Sequence, residues 1–440
     1  MNGTFSGCRS LSELDLSAWD TSNWANTSLY GTFDSCQSLK GLDLSAWDTS
    51  KWAVTSLRNC WYSCWNLKYL DIASWDTSNW TVTTMQSVWQ DCYTLNYLDL
   101  SEWDVSNWAV TSLANTWYGC RSLKVLDVST WDTSGWAVTA FNSSWNNCLS
   151  LGQLDISNWD VSGWVVDSLA STWYNCYSLK ELSLNGWDTS GWVVTRIESC
   201  FGYCYSMTQL DISDWDVSNW AVTRMDGCFS NCISLSELDL NDWDVSSWPI
   251  TNIGSCWTGC RSLKTLHVSD WDTSAWELTS ASYLFQSCES LTEIEAASWD
   301  TSSWKITSLQ SMFDMTFGVR ELDLSGWGTS HWAVTSTTNV FAYAYCLKKL
   351  ILPETVGLAS TGTLTIGVNY QNLEYFSGVR QYGNHSYATA IKLTHDSLVS
   401  IIGRLPQVSA ARTITLGESN KLKLTAEEIA VATQKGWTVA

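Results

Sequence analysis

The chain has 440 residues, with 44 Asp and Glu against 23 Lys and Arg, for a net charge of −21. That balance argues against a nucleic-acid protein, since phosphate binding needs clustered cations, and a cationic partner suits it better. No run of 18 or more apolar residues occurs, so the sequence offers no membrane-spanning helix.

In chain order, residues 2–10 form half a repeat and no basic-then-apolar signal segment opens the chain. Twelve 28-residue repeats then fill positions 11–346 without an insertion. A unit this short cannot bury its own apolar face, so neighbours must stack into a solenoid. Each repeat carries two tryptophans, such as Trp19 with Trp24 and Trp47 with Trp52, and contributes to a total of 32.

Within one repeat, Leu39, Leu42 and Leu44 form an L-x-x-L-x-L pattern, with Leu42 and Leu44 inward on a short strand and Asp43 outward. Thirteen such segments, ending at Leu347, Leu350 and Leu352, predict a parallel sheet. Trp47-Asp48-Thr49-Ser50 then reads as an Asx turn. Its third position alternates between Thr49 and Val105 types, which suggests a half-buried extended site. Farther on, Leu57, Trp61 and Cys64 fall at i, i+4 and i+7, one face of a helix. Thr55, replaced by Asp167 in one repeat, fits as its N-cap, and Gly7, Ser35, Ser63 and Asp91 mark where it stops.

The unit LDLSxWDTSxWxVTSLxxxWxxCxSL resembles the repeat of BspA-like leucine-rich-repeat proteins, surface proteins of gut and oral bacteria and of some phages. The resemblance covers roughly residues 3–352 and departs in placing Trp where that family has Phe and Val, on a slightly longer repeat. It implies adhesion or receptor binding, without catalysis or catalytic residues. The expected fold is therefore an α/β solenoid of leucine-rich-repeat type, about 12 full coils, with a parallel sheet on one face and short helices on the other. Residues 1–352 form the solenoid, and residues 353–440 an α/β capping region.

In that tail, residues 363–366 and 413–416 read as strands, Leu398, Ile401, Ile402 and Leu405 as a helix ended by Pro406, and Thr425 to Glu428 as a capping box. The ending LTAEEIAVATQKGWTV also resembles the ends of surface and tail-associated proteins from gut bacteria and phages.

Candidate chemistry is sparse. The 16 cysteines lie mostly in one 28-residue column, from Cys8 to Cys288, and read as small buried apolar residues more readily than as disulfides or zinc ligands. The indoles read as core in preference to a sugar-stacking platform, because two dozen exposed rings would exceed any tolerable apolar patch. Their N–H groups then need acceptors, expected among turn Asp, Ser and backbone carbonyls. The outward strand column is the candidate binding face: Asp15, Asp43, Asp71, Asp99, Asp127, Asp155, Asp211, Asp239, His267, Glu295 and Asp323, offset by Lys40, Lys68, Lys124, Lys180 and Lys264 next door. His267 reads as a hydrogen-bonded surface residue. No nucleophile motif, phosphate loop or metal signature appears, and no cofactor is expected. The resulting expectation is a non-enzymatic scaffold, an adhesin or phage tail protein at a cell surface or on a virion, binding a protein or glycan. The alternative is a structural protein that self-assembles through its first coil, which supplies no cap. Ice binding by the Thr rows is a third, weaker reading.

Overall fold

A computed structural model describes residues 1–353, 370–378 and 385–440. The chain is a leucine-rich-repeat-type parallel-sheet solenoid with few helices. It divides into two compact units, Met1–Asp244 and Val245–Ala440.

In the first unit the strands are β1 (Gly41–Asp43), β2 (Tyr69–Asp71), β3 (Leu98–Asp99), β4 (Val125–Asp127), β5 (Gln153–Asp155), β6 (Glu181–Ser183), β7 (Gln209–Asp211) and β8 (Glu237–Asp239). Pairing is parallel and in register with the repeat: Leu42 faces Leu70, and Leu98, Leu126 and Leu154 line up across three strands. Each central Leu is buried while its neighbours alternate outward, as a pleated strand requires.

The second unit holds β9 (Thr265–His267), β10 (Glu321–Asp323), β11 (Lys349–Ile351) and β12 (Tyr375–Ser377), the last pairing parallel to β11. A separate parallel sheet joins β13 (His385–Ser386), β14 (Arg412–Thr415) and β15 (Trp437–Val439). The expected tail helix is α1 (His395–Arg404), capped by Thr394. After α2 (Glu418–Lys421), α3 (Ala426–Gln434) opens on the expected capping box of Thr425 and Glu428. The strand expected at residues 363–366 lies outside the described residues. Of the thirteen expected solenoid strands, eleven form, β1 to β11; residues 11–16 form none, and Glu295–Ser298 is a 3-10 turn.

The helices expected opposite the sheet are absent from the described repeats, and the reason is visible in backbone bonding. Around residues 57–64 alternate N–H groups leave the coil: Leu57, Asn59, Trp61 and Ser63 donate to Thr84, Gln86, Val88 and Gln90 of the next coil at 2.8–3.4 Å. The others close turns, as Cys60 donates to Leu57 and Cys64 to Trp61. Asn59 and Ser63 are left-handed, with φ of 56° and 55°, which no α-helix interior permits. The column Gly7, Ser35, Ser63 and Asp91 therefore marks successive turns and not a helix end. Thr55 caps nothing: its N–H and hydroxyl both donate to the Thr27 carbonyl one coil back, at 3.0 and 3.1 Å.

Three aromatic columns fill the first unit. Trp47 and Trp75 stack at 6.1 Å, Trp52 and Trp80 at 6.4 Å, and Trp61 and Trp89 at 5.7 Å, all within 9° of parallel. The first two columns lean on each other at about 55°, offset geometries that ring quadrupoles favour over a flat sandwich. Burial is nearly complete along the columns and fails at Trp19, 36% exposed, and at Trp65, 39% exposed and outside them. Burying one indole removes about 200 Å², roughly 5 kcal/mol of gross transfer energy.

The indole N–H groups divide by column. Trp75, Trp103, Trp131 and Trp159 donate to the backbone carbonyls of Leu44, Ile72, Leu100 and Val128 one coil back, at 3.1–3.2 Å, and not to turn Asp or Ser side chains. Trp52, Trp80, Trp108 and Trp136 have buried N–H groups without a nitrogen or oxygen acceptor; the rings of Trp80 and Trp108 lie 5.8 and 5.9 Å from tilted rings of the adjoining column. The Thr49 position is fully buried, tighter than expected, and its hydroxyl donates to the Asp76 carbonyl at 3.0 Å.

Candidate binding face

The outward strand column is where repeat geometry concentrates charge. In the first unit, Asp43 stands beside Asp71, and Asp99, Asp127 and Asp155 stand in sequence across β3, β4 and β5. Ser183 interrupts the row on β6 and faces Asp211 on β7. Asp15 lies on a segment without strand pairing, and Asp239 ends β8. The sheet thus brings most of the expected row together, one carboxylate per coil at a step of about 4.8 Å.

Each carboxylate is held by the residue two places on. Asp43 Oδ1 accepts both the Ser45 N–H (3.0 Å) and hydroxyl (2.6 Å); Ser17, Ser129 and Ser157 do the same for Asp15, Asp127 and Asp155. The Ser hydroxyl, then its N–H, holds the carboxyls of Asp15 and Asp43 below the usual aspartate value. Both bonds use Oδ1, and Oδ2 of Asp43, Asp127 and Asp155 accepts no hydrogen bond among the described residues. At Asp71 and Asp99 that second oxygen accepts the phenol of Tyr69 (2.8 Å) or Tyr97 (3.1 Å).

Those tyrosines went unread in the sequence. Tyr69, Tyr97 and Val125 are 49%, 57% and 43% exposed on three consecutive coils, an apolar patch beside Asp71, Asp99 and Asp127. The signal was available as bulky residues at an outward strand position. Two shallow depressions open on this face of the first unit. One, of about 400 Å³, is lined by Asp15, Lys40, Asp43 and Tyr69; the other, of about 490 Å³, by Gln153, Asp155, Lys180 and Ser183.

The neighbouring Lys40, Lys68, Lys124, Lys180 and Lys264 are exposed and make no contact ion pair among the described residues.

In the second unit, His267 Nδ1 lies 3.1 Å from Glu295 Oε1, and Glu295 Oε2 accepts the N–H groups of Val268 (2.8 Å) and Ser269 (3.1 Å). Glu295 opens the 3-10 turn, and its carboxylate takes the backbone bonds that a strand there would have supplied. His267 is thus a hydrogen-bonded surface residue. Asp323 on β10 accepts the Ser325 N–H at 2.9 Å.

No group of three or more His, Cys, Asp or Glu among the described residues is arranged to hold a metal ion. The cysteine column is a thiol ladder: Cys64, Cys92, Cys120 and Cys148 donate to the carbonyls of Phe33, Trp61, Trp89 and Trp117 at 3.1–3.2 Å. No helix among the described residues is long and apolar enough to cross a membrane.

The sequence profile of a family described as "Mycoplasma protein of unknown function, DUF285" matches residues 1–52, 27–134, 99–192, 167–265 and 223–352. The chain belongs to this family. The overlapping matches place successive DUF285 segments over the whole repeat region. No curated protein matches the sequence. Among solved structures, the DUF285 chain is similar to TLR13 in complex with ssRNA13 (15% identity, TM-score 0.28), covering 87% of this chain but only 49% of that one. It is also similar to a Leptospira interrogans LRR protein (12% identity, TM-score 0.24), covering 99% of this chain and 97% of that one. A third is the functional domain of InlJ from Listeria monocytogenes, which includes a cysteine ladder (14% identity, TM-score 0.21, 87% and 70% covered).

Proposed function

We propose that this DUF285 chain is a non-catalytic binding scaffold, displayed outside a bacterial cell or on a virion in the manner of BspA-like proteins, that holds a protein or glycan ligand on its strand face. One observation carries the reading: a row of fixed carboxylates with outward oxygens, bordered by Tyr69, Tyr97 and Val125. Exposed tyrosine is enriched in binding hot spots, and carboxylates already held in place lose little side-chain entropy on contact. A cationic group on the ligand suits the row. Charge reversal of Asp71, Asp99 and Asp127 to Lys should abolish binding in glycan-array and cell-binding assays. Unchanged binding would remove this face from the account.

A further inference from the structure

A second surface of opposite sign runs along the edge where the turn ribbon enters the strands. The first unit contains ten Lys and Arg, and five of them, Lys40, Lys68, Arg121, Lys124 and Lys180, occupy this edge. All five are exposed and none forms an ion pair among the described residues, whereas Arg196 and Arg224 elsewhere in the unit are each paired with a carboxylate. Backbone bonds fix their spacing. The Lys68 N–H donates to the Lys40 carbonyl (2.9 Å), and Asn96, Lys124 and Gly152 are linked in the same way (3.3 and 3.1 Å), so the column advances coil by coil, with neutral Asn96 and Gly152 alternating with lysines from Lys68 to Lys180.

An aromatic ridge borders the cations. Trp65 is 39% exposed and stacks on half-buried Tyr93 at 6.1 Å, and the Arg121 guanidinium lies 4.4 Å from the Tyr93 ring centre. That contact holds Arg121 against the ring, with the half-buried Asp91 carboxylate, hydrogen-bonded to Tyr93, within its electrostatic reach. Polar residues fill the gap between ridge and lysines: Thr94 and Ser122 donate to the Trp65 and Tyr93 carbonyls at 3.1 and 2.8 Å.

The geometry points to a binding strip for a linear acidic polysaccharide, one carrying a carboxylate on each sugar, held by Lys68, Arg121, Lys124 and Lys180 with Trp65 and Tyr93 as its apolar border. The coil step of about 4.8 Å is comparable to the length of one pyranose unit, so each coil spans about one sugar and, from Lys68 to Lys180, every second sugar meets a lysine. A nucleic acid fits less well, because its charge, packed at one per ~1.7 Å of duplex, is far denser than lysines two coils apart. This strip adjoins the carboxylate row: Lys40 lines a depression with Asp15 and Asp43, and Lys180 one with Asp155 and Glu181.

Affinity electrophoresis of the full chain in gels containing polygalacturonate tests it, with neutral dextran as the control. Retardation by polygalacturonate alone is expected near 0.1 M salt, where a Debye length of about 10 Å weakens repulsion from the neighbouring carboxylates, and should vanish at high salt. The double variant Lys68→Glu, Lys124→Glu should bind about tenfold more weakly, the effect of reversing two exposed charge contacts. Trp65→Ala should weaken it with an unchanged circular dichroism spectrum. The Asp71, Asp99 and Asp127 to Lys variant should bind polygalacturonate as well or better, so failure of the strip and failure of the carboxylate face are distinguishable. Absence of retardation, equal retardation by dextran, indifference to the lysine variant, or stronger retardation by single-stranded DNA would each overturn the proposal.

Discussion

The indole N–H of Trp75 donates to the carbonyl of Leu44, 31 residues earlier and one coil back, at 3.2 Å; Trp80, equally buried, has no such acceptor. Replacing either by Phe removes the same volume, yet the hydrogen-bond consequences are opposite. Trp75→Phe loses a bond, whereas Trp80→Phe deletes a buried donor without an oxygen partner. Trp75→Phe should therefore be the more destabilising by about 1–2 kcal/mol, read as the shift in urea midpoint. Equal losses would mean the ring-face contacts of Trp80 are as good as the Leu44 bond.

Left-handed backbone at Asn59 makes that position a direct test of turn against helix. Asn59→Val should cost about 1–2 kcal/mol, since a branched side chain resists positive φ, while Asn59→Gly should be nearly neutral. In a helix the order would reverse, with glycine the costly substitution. Thermal denaturation of the two variants separates these outcomes.

The aspartate turns set a pH response. Ser hydroxyls, then Ser N–H groups, hold Asp15, Asp20, Asp43, Asp48, Asp132, Asp216 and Asp272 below the 3.8 of an unfolded aspartate. A lowered folded value means each turn contributes its stability above pH 3.8 and loses it as pH falls through the folded value. Ser22→Ala, Ser45→Ala and Ser50→Ala together should lower stability at neutral pH and flatten the decline below pH 3.8. A triple variant whose pH profile has the parental slope would show that these bonds carry no such linkage.

Thiol reactivity should be equally uneven. Burial pushes Cys36 and Cys204 up to about 12 and Cys60, Cys120 and Cys148 well above 9.0. Only Cys8 and Cys346 have exposed surface of any consequence. Iodoacetamide followed by mass spectrometry should label these two in the folded chain and the ladder cysteines only on unfolding. Rapid native labelling of Cys92 or Cys120 would contradict the packing.

Much of the fold could be read from Leu42, Trp47 and Cys64, because residues that stack every 28 positions with apolar partners must face inward. The turn ribbon was misread because Leu57, Trp61 and Cys64 fit a helical face as well as a chain of four-residue turns. The distinguishing sign lay in a second column, Gly3, Gly31, Asn59, Ser87 and Asn115, four residues before the one taken as a helix end. Two such columns tolerate left-handed backbone, whereas a helix needs only one, at its close. Of the candidate face, the carboxylate row was legible. Its bordering tyrosines carry a sequence signal as well, since Tyr69 and Tyr97 stand two residues before Asp71 and Asp99 and so share their outward face, whereas the clamp by Ser45 depends on the turn geometry after Asp43.

Because donors on one coil find acceptors on the next at offsets tied to a single 28-residue period, loss or duplication of one complete period within a unit leaves each surviving group facing an equivalent partner. A gain or loss of any other length would misalign stacked rings, thiols and carbonyls together. Length can thus change in whole multiples of the period, altering the number of carboxylate-bearing rungs while the chemistry of each rung persists.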